Sequence, residues 1–183
     1  MKTLLIFRHA KSGWDQPALR DFDRALNDKG KRAAITMGRH LRQAGVVFDH
    51  VVASPAVRVI ESLDAMFEGY GRRLAPNWDR RAYLASAATL LEIVQEAPET
   101  TDALMLAGHN PGVEELALLL STDAGEEEIA TRAALGEKYP TASIAELQFD
   151  VAHWADVAEG GGHLVRFVRP RDLDPALGPD RVF

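Results

Sequence analysis

The 183-residue sequence contains no cysteine, and this absence excludes several kinds of chemistry. Disulfide bonds, thiolate catalysis and zinc–thiolate sites all need cysteine side chains, so none of them can form. An excess of basic residues is also missing, because 27 aspartates and glutamates outnumber 21 lysines and arginines and give a formal net charge of −6. A chain with this balance has no positive field to attract a phosphate backbone, and we therefore expect no nucleic-acid partner.

Long hydrophobic runs are absent as well. The first apolar stretch, residues 4–7, is too short for a signal peptide and is followed at once by Arg8. We therefore expect a cytoplasmic protein with no membrane partner. The 46% hydrophobic content is enough for a sizeable core, and no linker or repeat interrupts the chain. The sequence predicts a single domain over residues 1–183, with an irregular C-terminal tail from about residue 170.

The pattern of apolar residues alternates between strand-like and helix-like segments. Short apolar runs predict strands, and apolar residues at helical spacing predict the helices between them. This alternation predicts an α/β fold, a single three-layer domain with a mostly parallel central sheet flanked by helices. The predicted strands are 3–7, 51–53, 103–107, 143–149 and 164–168, and the predicted helices lie near 31–44, 57–68, 87–97, 112–120 and 126–136.

Three helix starts carry capping signals. Asn27 is interpreted as the cap of the first helix, while Ser54 and Asn110, each followed by proline, are interpreted as the caps of two later helices. In the helix after Ser54, helical spacing predicts one apolar stripe of Val57, Ile60, Leu63 and Phe67.

Cationic and imidazole side chains follow three of the predicted strands. The first strand runs into Arg8 and His9, the second leads to a helix whose first turn holds Arg58, and the third is followed by His109. Because ligands bind outside the carboxyl ends of parallel strands, these four side chains are expected to converge on one point. Taken singly, each is as consistent with a solvated strand end or a helix start as with a functional site.

Together the four residues suit a phosphoryl group. A guanidinium group matches two phosphate oxygens and stays charged, and a neutral imidazole can act as a nucleophile. Nearby arginines would lower the pKa of His9 and keep it neutral. A protonated His109 would add positive charge where phosphoryl transfer requires it.

At this point the sequence resembles the histidine phosphatase superfamily, the phosphoglycerate mutase-like proteins, and within it the short SixA-type phosphohistidine phosphatases. The resemblance extends over residues 2 to about 170. It is carried by RHAKSGWD at 8–15, DFDRALNDKG at 21–30, SPAVR at 54–58, GHNPG at 108–112 and PTAS at 140–143.

The resemblance implies specific roles. His9 would be the nucleophile that becomes phosphohistidine, with Arg8, Arg58 and His109 as the other catalytic and phosphate-binding residues. Ser12 would contact phosphoryl or substrate oxygens. We place Arg24 outside the phosphate pocket. Members of the family need neither a metal nor an organic cofactor, so none is expected here.

The sequence departs from the family pattern in ways that affect the expected substrate. Ala10 replaces the glycine that follows the histidine, and Asp15 replaces an asparagine. A glutamate that protonates the leaving oxygen in mutases has no evident counterpart, and Asp15, Asp21 and Asp23 are interpreted as solvated loop charges. Because phosphoimidazole can leave as neutral imidazole, a site without this acid fits phosphohistidine, or another activated phosphate, better than an alkyl phosphate.

These observations predict an enzyme, a phosphatase that forms a covalent intermediate on His9 and dephosphorylates phosphohistidine on a protein, for example a histidine phosphotransfer domain. A small-molecule phosphomonoesterase or mutase of the same fold, acting on a phosphorylated metabolite, is the first alternative. A non-catalytic phosphate-binding module, with Ala10 as its main support, is the second. A metal hydrolase with His9 and His109 as ligands is the third, although no carboxylate cluster accompanies them.

Overall fold

The computed structural model describes residues 1–179 and confirms the predicted α/β class. Five of the six strands were predicted, and only the two-residue strand at Asn77–Trp78 was missed. The strands are β1 (Lys2–Arg8), β2 (His50–Ala53), β3 (Asn77–Trp78), β4 (Ala103–Gly108), β5 (Ile144–Phe149) and β6 (Gly162–Val168). The helices are α1 (Asp28–Gln43), α2 (Val57–Tyr70), α3 (Ala87–Gln95), α4 (Gly112–Leu120), α5 (Glu126–Glu137) and α6 (Pro170–Leu173).

The strands form one sheet in the order β3-β2-β4-β1-β5-β6, in which β5 runs antiparallel to both of its neighbours. The pairs β1–β4, β2–β4 and β2–β3 are parallel. The mostly parallel sheet predicted from the alternation of strands and helices is therefore confirmed.

Both faces of the sheet are buried, because successive side chains of a strand point to opposite sides. On β1, Leu4 and Ile6 pack into the core beneath α3, α4 and α5. Leu5 and Phe7 pack on the other face, against α1 and α2. Two helical layers therefore enclose the sheet, as the three-layer prediction required.

Helix α1 begins as predicted. The side chain of Asn27 accepts a hydrogen bond from the Gly30 amide at 2.8 Å, which satisfies one of the free N–H groups of the first turn. Its buried face includes Ala34, Met37 and Leu41, which pack on the sheet.

The two proline-based caps were placed wrongly. Helix α2 begins at Val57 with Ala56 as its cap, and α4 begins at Gly112 with Pro111 as its cap. Ser54 Oγ accepts hydrogen bonds from His109 Nε2 and from the Ala56 amide, which precedes α2. Asn110 Nδ2 donates to Glu114, and Asn110 Oδ1 accepts no hydrogen bond from the described residues.

Two further expectations differ from the structure. In the predicted stripe of α2, Leu63 and Phe67 are buried as expected, but Val57 and Ile60 are only partly buried, and Val59 and Met66 are buried in their place. The tail from about residue 170 is not wholly irregular, because it contains α6 and a 3-10 turn at Pro175–Leu177. The extent of the domain to residue 183 stays a prediction, since residues 180–183 lie outside the described residues.

Candidate active site

The carboxyl ends of β1, β4 and β2 lie side by side at one edge of the sheet, and the polar residues that follow them meet there. The rings of His9 and His109 have centroids 5.2 Å apart. Arg58 lies between them, with Nε 3.4 Å from His9 Nε2 and Nη2 3.2 Å from His109 Nδ1.

A cavity of about 400 Å³ opens at this edge, and we call it the strand-edge cavity. It brings together all five predicted site residues, but it also contains residues that the sequence did not indicate. Its lining is Arg8, His9, Lys11, Ser12, Trp14, Asp21, Arg24, Arg58, Leu84, His109, Asn110 and Thr141.

The tautomer of His9 is fixed by a partner that can only accept. His9 Nδ1 lies 2.7 Å from the carbonyl oxygen of Ala10, so Nδ1 carries the hydrogen and donates it. Burial is the main cause that lowers the pKa of His9 to about 4; the cations Arg58 and Arg8 act in the same direction, and the Ala10 carbonyl acts in the opposite one. At neutral pH Nε2 is therefore unprotonated, and its lone pair accepts a long hydrogen bond from Arg58 Nε at 3.4 Å at the edge of the cavity. The predicted direction of this pKa shift is confirmed, with burial rather than the arginines as the larger cause.

His109 takes the opposite tautomer. Arg58 Nη2 can only donate, so His109 Nδ1 accepts, and Nε2 donates to the Ser54 hydroxyl at 2.8 Å. Burial is the main cause that lowers the pKa of His109 to about 3, and His9 and Arg58 act in the same direction. In the site without a bound anion the ring is therefore neutral, and the positive charge that a protonated His109 would add is not present.

Asp21 is the main addition to the predicted site. Arg58 donates from Nη1 to the Asp21 carbonyl at 2.7 Å and from Nη2 to its carboxylate at 2.9 Å, and Tyr83 donates to the same carboxylate at 2.6 Å. Burial alone would raise the pKa of Asp21, but the hydrogen bonds from Tyr83 and Arg58 outweigh it and hold the pKa at about 2. Its interpretation as a solvated loop charge is wrong, and the residue has no proton to donate at neutral pH.

Arg24 also lines the cavity, and its place outside the group of residues that contact the phosphate stays a prediction. Its Nη1 donates to the Ser12 hydroxyl at 2.8 Å, and its Nε and Nη2 donate to Asp21 Oδ1. The guanidinium group stacks 3.6 Å from the centre of the Trp14 ring. These contacts fix Ser12 and Trp14 at the rim of the cavity.

Arg8 is positioned from the opposite side. Its Nη1 donates to the Tyr139 carbonyl at 2.7 Å, and Asn110 Nδ2 donates to the same oxygen at 3.3 Å. Asn110 also donates to Glu114 Oε2 at 2.9 Å. The loop after α5 therefore aligns Arg8, a contact over 131 residues of sequence separation that no local pattern indicates.

The departure at Ala10 has a structural explanation. Its side chain is fully buried in the core beside α1 and α2 and does not line the cavity. Its amide donates to the Ser62 hydroxyl at 2.8 Å, and that hydroxyl donates to the Arg58 carbonyl at 2.5 Å. Ser62 therefore connects the chain that carries His9 to the helix that carries Arg58. Asp15, the other departure, is exposed and does not line the cavity.

Two further observations concern metals and membranes. Within residues 1–179, no group of three or more histidine, aspartate or glutamate side chains is arranged to hold a metal ion. No helix in that part of the chain is long and apolar enough to cross a membrane.

Comparisons with known proteins point to one family. The sequence profile of the histidine phosphatase superfamily (branch 1) matches residues 4–104. The uncharacterized protein Rv1276c of Mycobacterium tuberculosis is 33% identical over 164 residues, which cover 90% of this chain and 99% of the relative.

Solved structures give the same result. A protein assigned as the phosphohistidine phosphatase SixA of Agrobacterium tumefaciens aligns with a TM-score of 0.74 and 26% identity, covering 92% of this chain and 98% of the other. A protein histidine phosphatase SixA complexed with tungstate aligns with a TM-score of 0.75 over 94% of this chain and 99% of the other, and its 18% identity makes it evidence for the fold alone.

Proposed function

The chain belongs to the histidine phosphatase superfamily, and from this premise we infer that it is a phosphatase whose reaction passes through a phosphohistidine on His9. Family membership and the SixA neighbours support phosphatase activity and a phosphorylated substrate. The observation that carries the covalent mechanism is the state of His9, whose Nδ1 is held by the Ala10 carbonyl while the neutral Nε2 opens into the strand-edge cavity.

In the first step, His9 Nε2 attacks the phosphorus atom and the bond to the leaving group breaks. Arg8 and Arg58 line the cavity with the nucleophile and supply positive charge for the phosphoryl oxygens. The negative charge of a bound phosphoryl group raises the pKa of His109, which then acts as a further donor. Water attacks the phosphohistidine in the second step, and the electron pair of the P–N bond returns to Nε2.

The proposed substrate is phosphohistidine on a protein. Asp21, the carboxylate that bonds Arg58, has a pKa of about 2 and cannot protonate a leaving oxygen. A phosphoimidazole needs no such acid, because it can leave as neutral imidazole once its other nitrogen carries a proton. The exposed side chains of Trp14 and Leu84 at the cavity rim support access by a side chain of another protein. The same lack of an acid argues against the alternative of an alkyl phosphomonoesterase.

The test is to trap the intermediate. We expect wild-type protein mixed with a phosphohistidine peptide to gain one phosphoryl group, detected by intact-mass measurement at alkaline pH, and a tryptic map to place it on His9. His9→Ala should gain none and lose about 10⁴-fold or more in turnover, as expected when a covalent nucleophile is removed.

The control is His153→Ala, which removes an exposed imidazole far from the cavity lining and should leave both readouts unchanged. Turnover by wild-type protein without any phosphoenzyme, or with the label on another residue, would contradict the covalent mechanism. A panel of alkyl phosphates hydrolysed faster than the peptide would favour the phosphomonoesterase alternative.

A further inference from the structure

A second cavity, of about 430 Å³, lies beside the strand-edge cavity, and we call it the basic cavity. Among the residues that the structure describes, its lining includes six basic residues and no acidic residue. The basic residues come from three separate parts of the chain, the start of the fold, the loop after α5 and the C-terminal tail. They are Arg8, Lys11, Lys29, Lys138, Arg169 and Arg171.

This concentration of positive charge opposes the balance of the whole chain, whose net charge is −6. Lys138 and Arg171 form no ion pair with any of residues 1–179, so their charge is not neutralised there. Arg8 donates to the backbone carbonyl of Tyr139, which leaves its full charge in place, and Lys29 donates to the carbonyl of Gly178. Arg169 is paired with Asp172. The cavity therefore presents several hydrogen-bond donors of one sign and suits an anion.

The two cavities adjoin each other, because Arg8, Lys11 and Thr141 line both of them. A ligand with its reacting phosphoryl group at His9 would pass Arg8 to enter the basic cavity, and the group bonded directly to that phosphoryl group would enter first.

We propose that the basic cavity binds a second phosphate group, and that the chain also cleaves phosphoanhydrides, with the terminal phosphoryl group at His9. This proposal rests on the phosphoryl-transfer function proposed above and adds a substrate class to it. A phosphate group presents several oxygens in different directions, which matches cations that approach from three parts of the chain. An acidic side chain on a protein surface has two oxygens and meets fewer of these cations.

The leaving group fits the same site. When His9 Nε2 attacks the terminal phosphorus atom, the bond to the bridging oxygen breaks and the electron pair stays on that oxygen, which belongs to the remaining phosphate chain. This product is stable as an anion and needs no proton from the enzyme, consistent with the absence of a protonated carboxyl group at Asp21. Water then cleaves the P–N bond, which gives orthophosphate, regenerates neutral His9 and releases one proton to solvent.

Binding is tested first, in the His9→Ala background to prevent turnover. Calorimetry in metal-free buffer compares tripolyphosphate with orthophosphate, and tripolyphosphate is expected to bind at least about tenfold more tightly, the effect of one added charge-assisted hydrogen bond. K138A/R171A should remove most of this difference. The matched control is K31A/R72A, which removes one lysine and one arginine from a different cavity and should keep the difference. Equal affinity for the two anions, or equal losses in both double variants, overturns the proposal.

Turnover is tested next with wild-type His9 restored. K138A/R171A is expected to lower kcat/KM for tripolyphosphate about tenfold more than kcat/KM for acetyl phosphate, which has a single phosphoryl group. If acetyl phosphate is cleaved and tripolyphosphate is not, the phosphoanhydride activity is wrong while the proposed function stands. If neither is cleaved while the phosphohistidine peptide is, the phosphoanhydride activity is likewise wrong and the proposed function stands. If the peptide is not cleaved either but tripolyphosphate still binds through Lys138 and Arg171, the anion site stands and the proposed function fails.

Discussion

The strand-edge cavity and the basic cavity differ in how their cations are held. In the first, Arg58 has 2% of its surface exposed, and Nε, Nη1 and Nη2 all donate to protein atoms. In the second, Lys138 is exposed and Arg171 partly so, and neither forms an ion pair with the described residues. Buried, hydrogen-bonded charge is already oriented and can act on a transition state. Exposed charge is mobile and screened by solvent, so it contributes to attraction and affinity.

The largest expected effect separates two arginines within the strand-edge cavity. Arg58→Ala removes a buried cation that contacts both histidines, and it should lower kcat/KM by about 10²- to 10³-fold. Arg24→Ala removes the bonds to Ser12 and Asp21 at the rim and should cost about tenfold. Steady-state kinetics on acetyl phosphate measures both. Equal losses would show that Arg24 is as central as Arg58.

Acid pH should affect the strand-edge cavity strongly. Since His9 acts through its unprotonated Nε2, kcat/KM should fall as the pH falls through about 4, the pKa of His9. Stability should fall over a wider range, because the unfolded chain binds protons on its histidines from about 6.5 downward while buried His9 and His109 remain neutral to about 4 and 3.

The thermal midpoint between pH 7 and pH 4 measures this effect. His109→Gln removes one of the two buried imidazoles and should make the dependence on pH shallower. An unchanged slope would mean that His109 is protonated in the folded protein.

A smaller effect is expected at the connection between the two halves of the site. Ser62→Ala leaves the buried amide of Ala10 without its hydrogen-bond partner and should lower the free energy of unfolding by about 1–3 kcal/mol. Ser62→Thr keeps the hydroxyl and is the matched control. Chemical denaturation of the three proteins measures the difference, and a neutral Ser62→Ala would show that water replaces the hydroxyl at no cost.

Salt should have the smallest effect and should act on the basic cavity alone. Raising the ionic strength to ~0.15 M shortens the screening length to about 8 Å, which weakens exposed charges more than buried ones. We therefore expect KM to rise a fewfold for tripolyphosphate and to change little for acetyl phosphate. Equal increases in KM for both substrates would show that salt does not act on the basic cavity alone.

Much of the site could be predicted because its residues follow buried strands. The apolar run of β1 is covered on both faces, so the first polar residues after it, Arg8 and His9, had to emerge at the sheet edge. The same argument placed His109 after β4. The position of these residues at strand ends does not show what each of them does. Their catalytic and phosphate-binding roles came from the family resemblance.

The contacts that could not be predicted join distant parts of the chain. Asp21 lies in a polar loop, and only the fold brings its carboxylate to Arg58, 37 residues away. Serine is a residue type that often caps helices, but the hydroxyl of Ser54 forms a hydrogen bond with the buried ring of His109. Arg169 and Arg171 belong to a tail that was expected to be irregular. The basic cavity forms because this tail packs near Lys29, and the sequence gives no sign of that packing.

The carboxylate of Asp21 has a consequence for ligand entry. The Asp21 carboxylate accepts a hydrogen bond from Arg58 Nη2, a donor that a phosphoryl oxygen would also use. A substrate that binds there must therefore displace one anion from Arg58 and take its place. An incoming group must compete with a carboxylate that Tyr83 also holds. We therefore expect singly charged ions such as chloride to inhibit poorly, and Asp21→Asn to make the site less discriminating between them and a dianion.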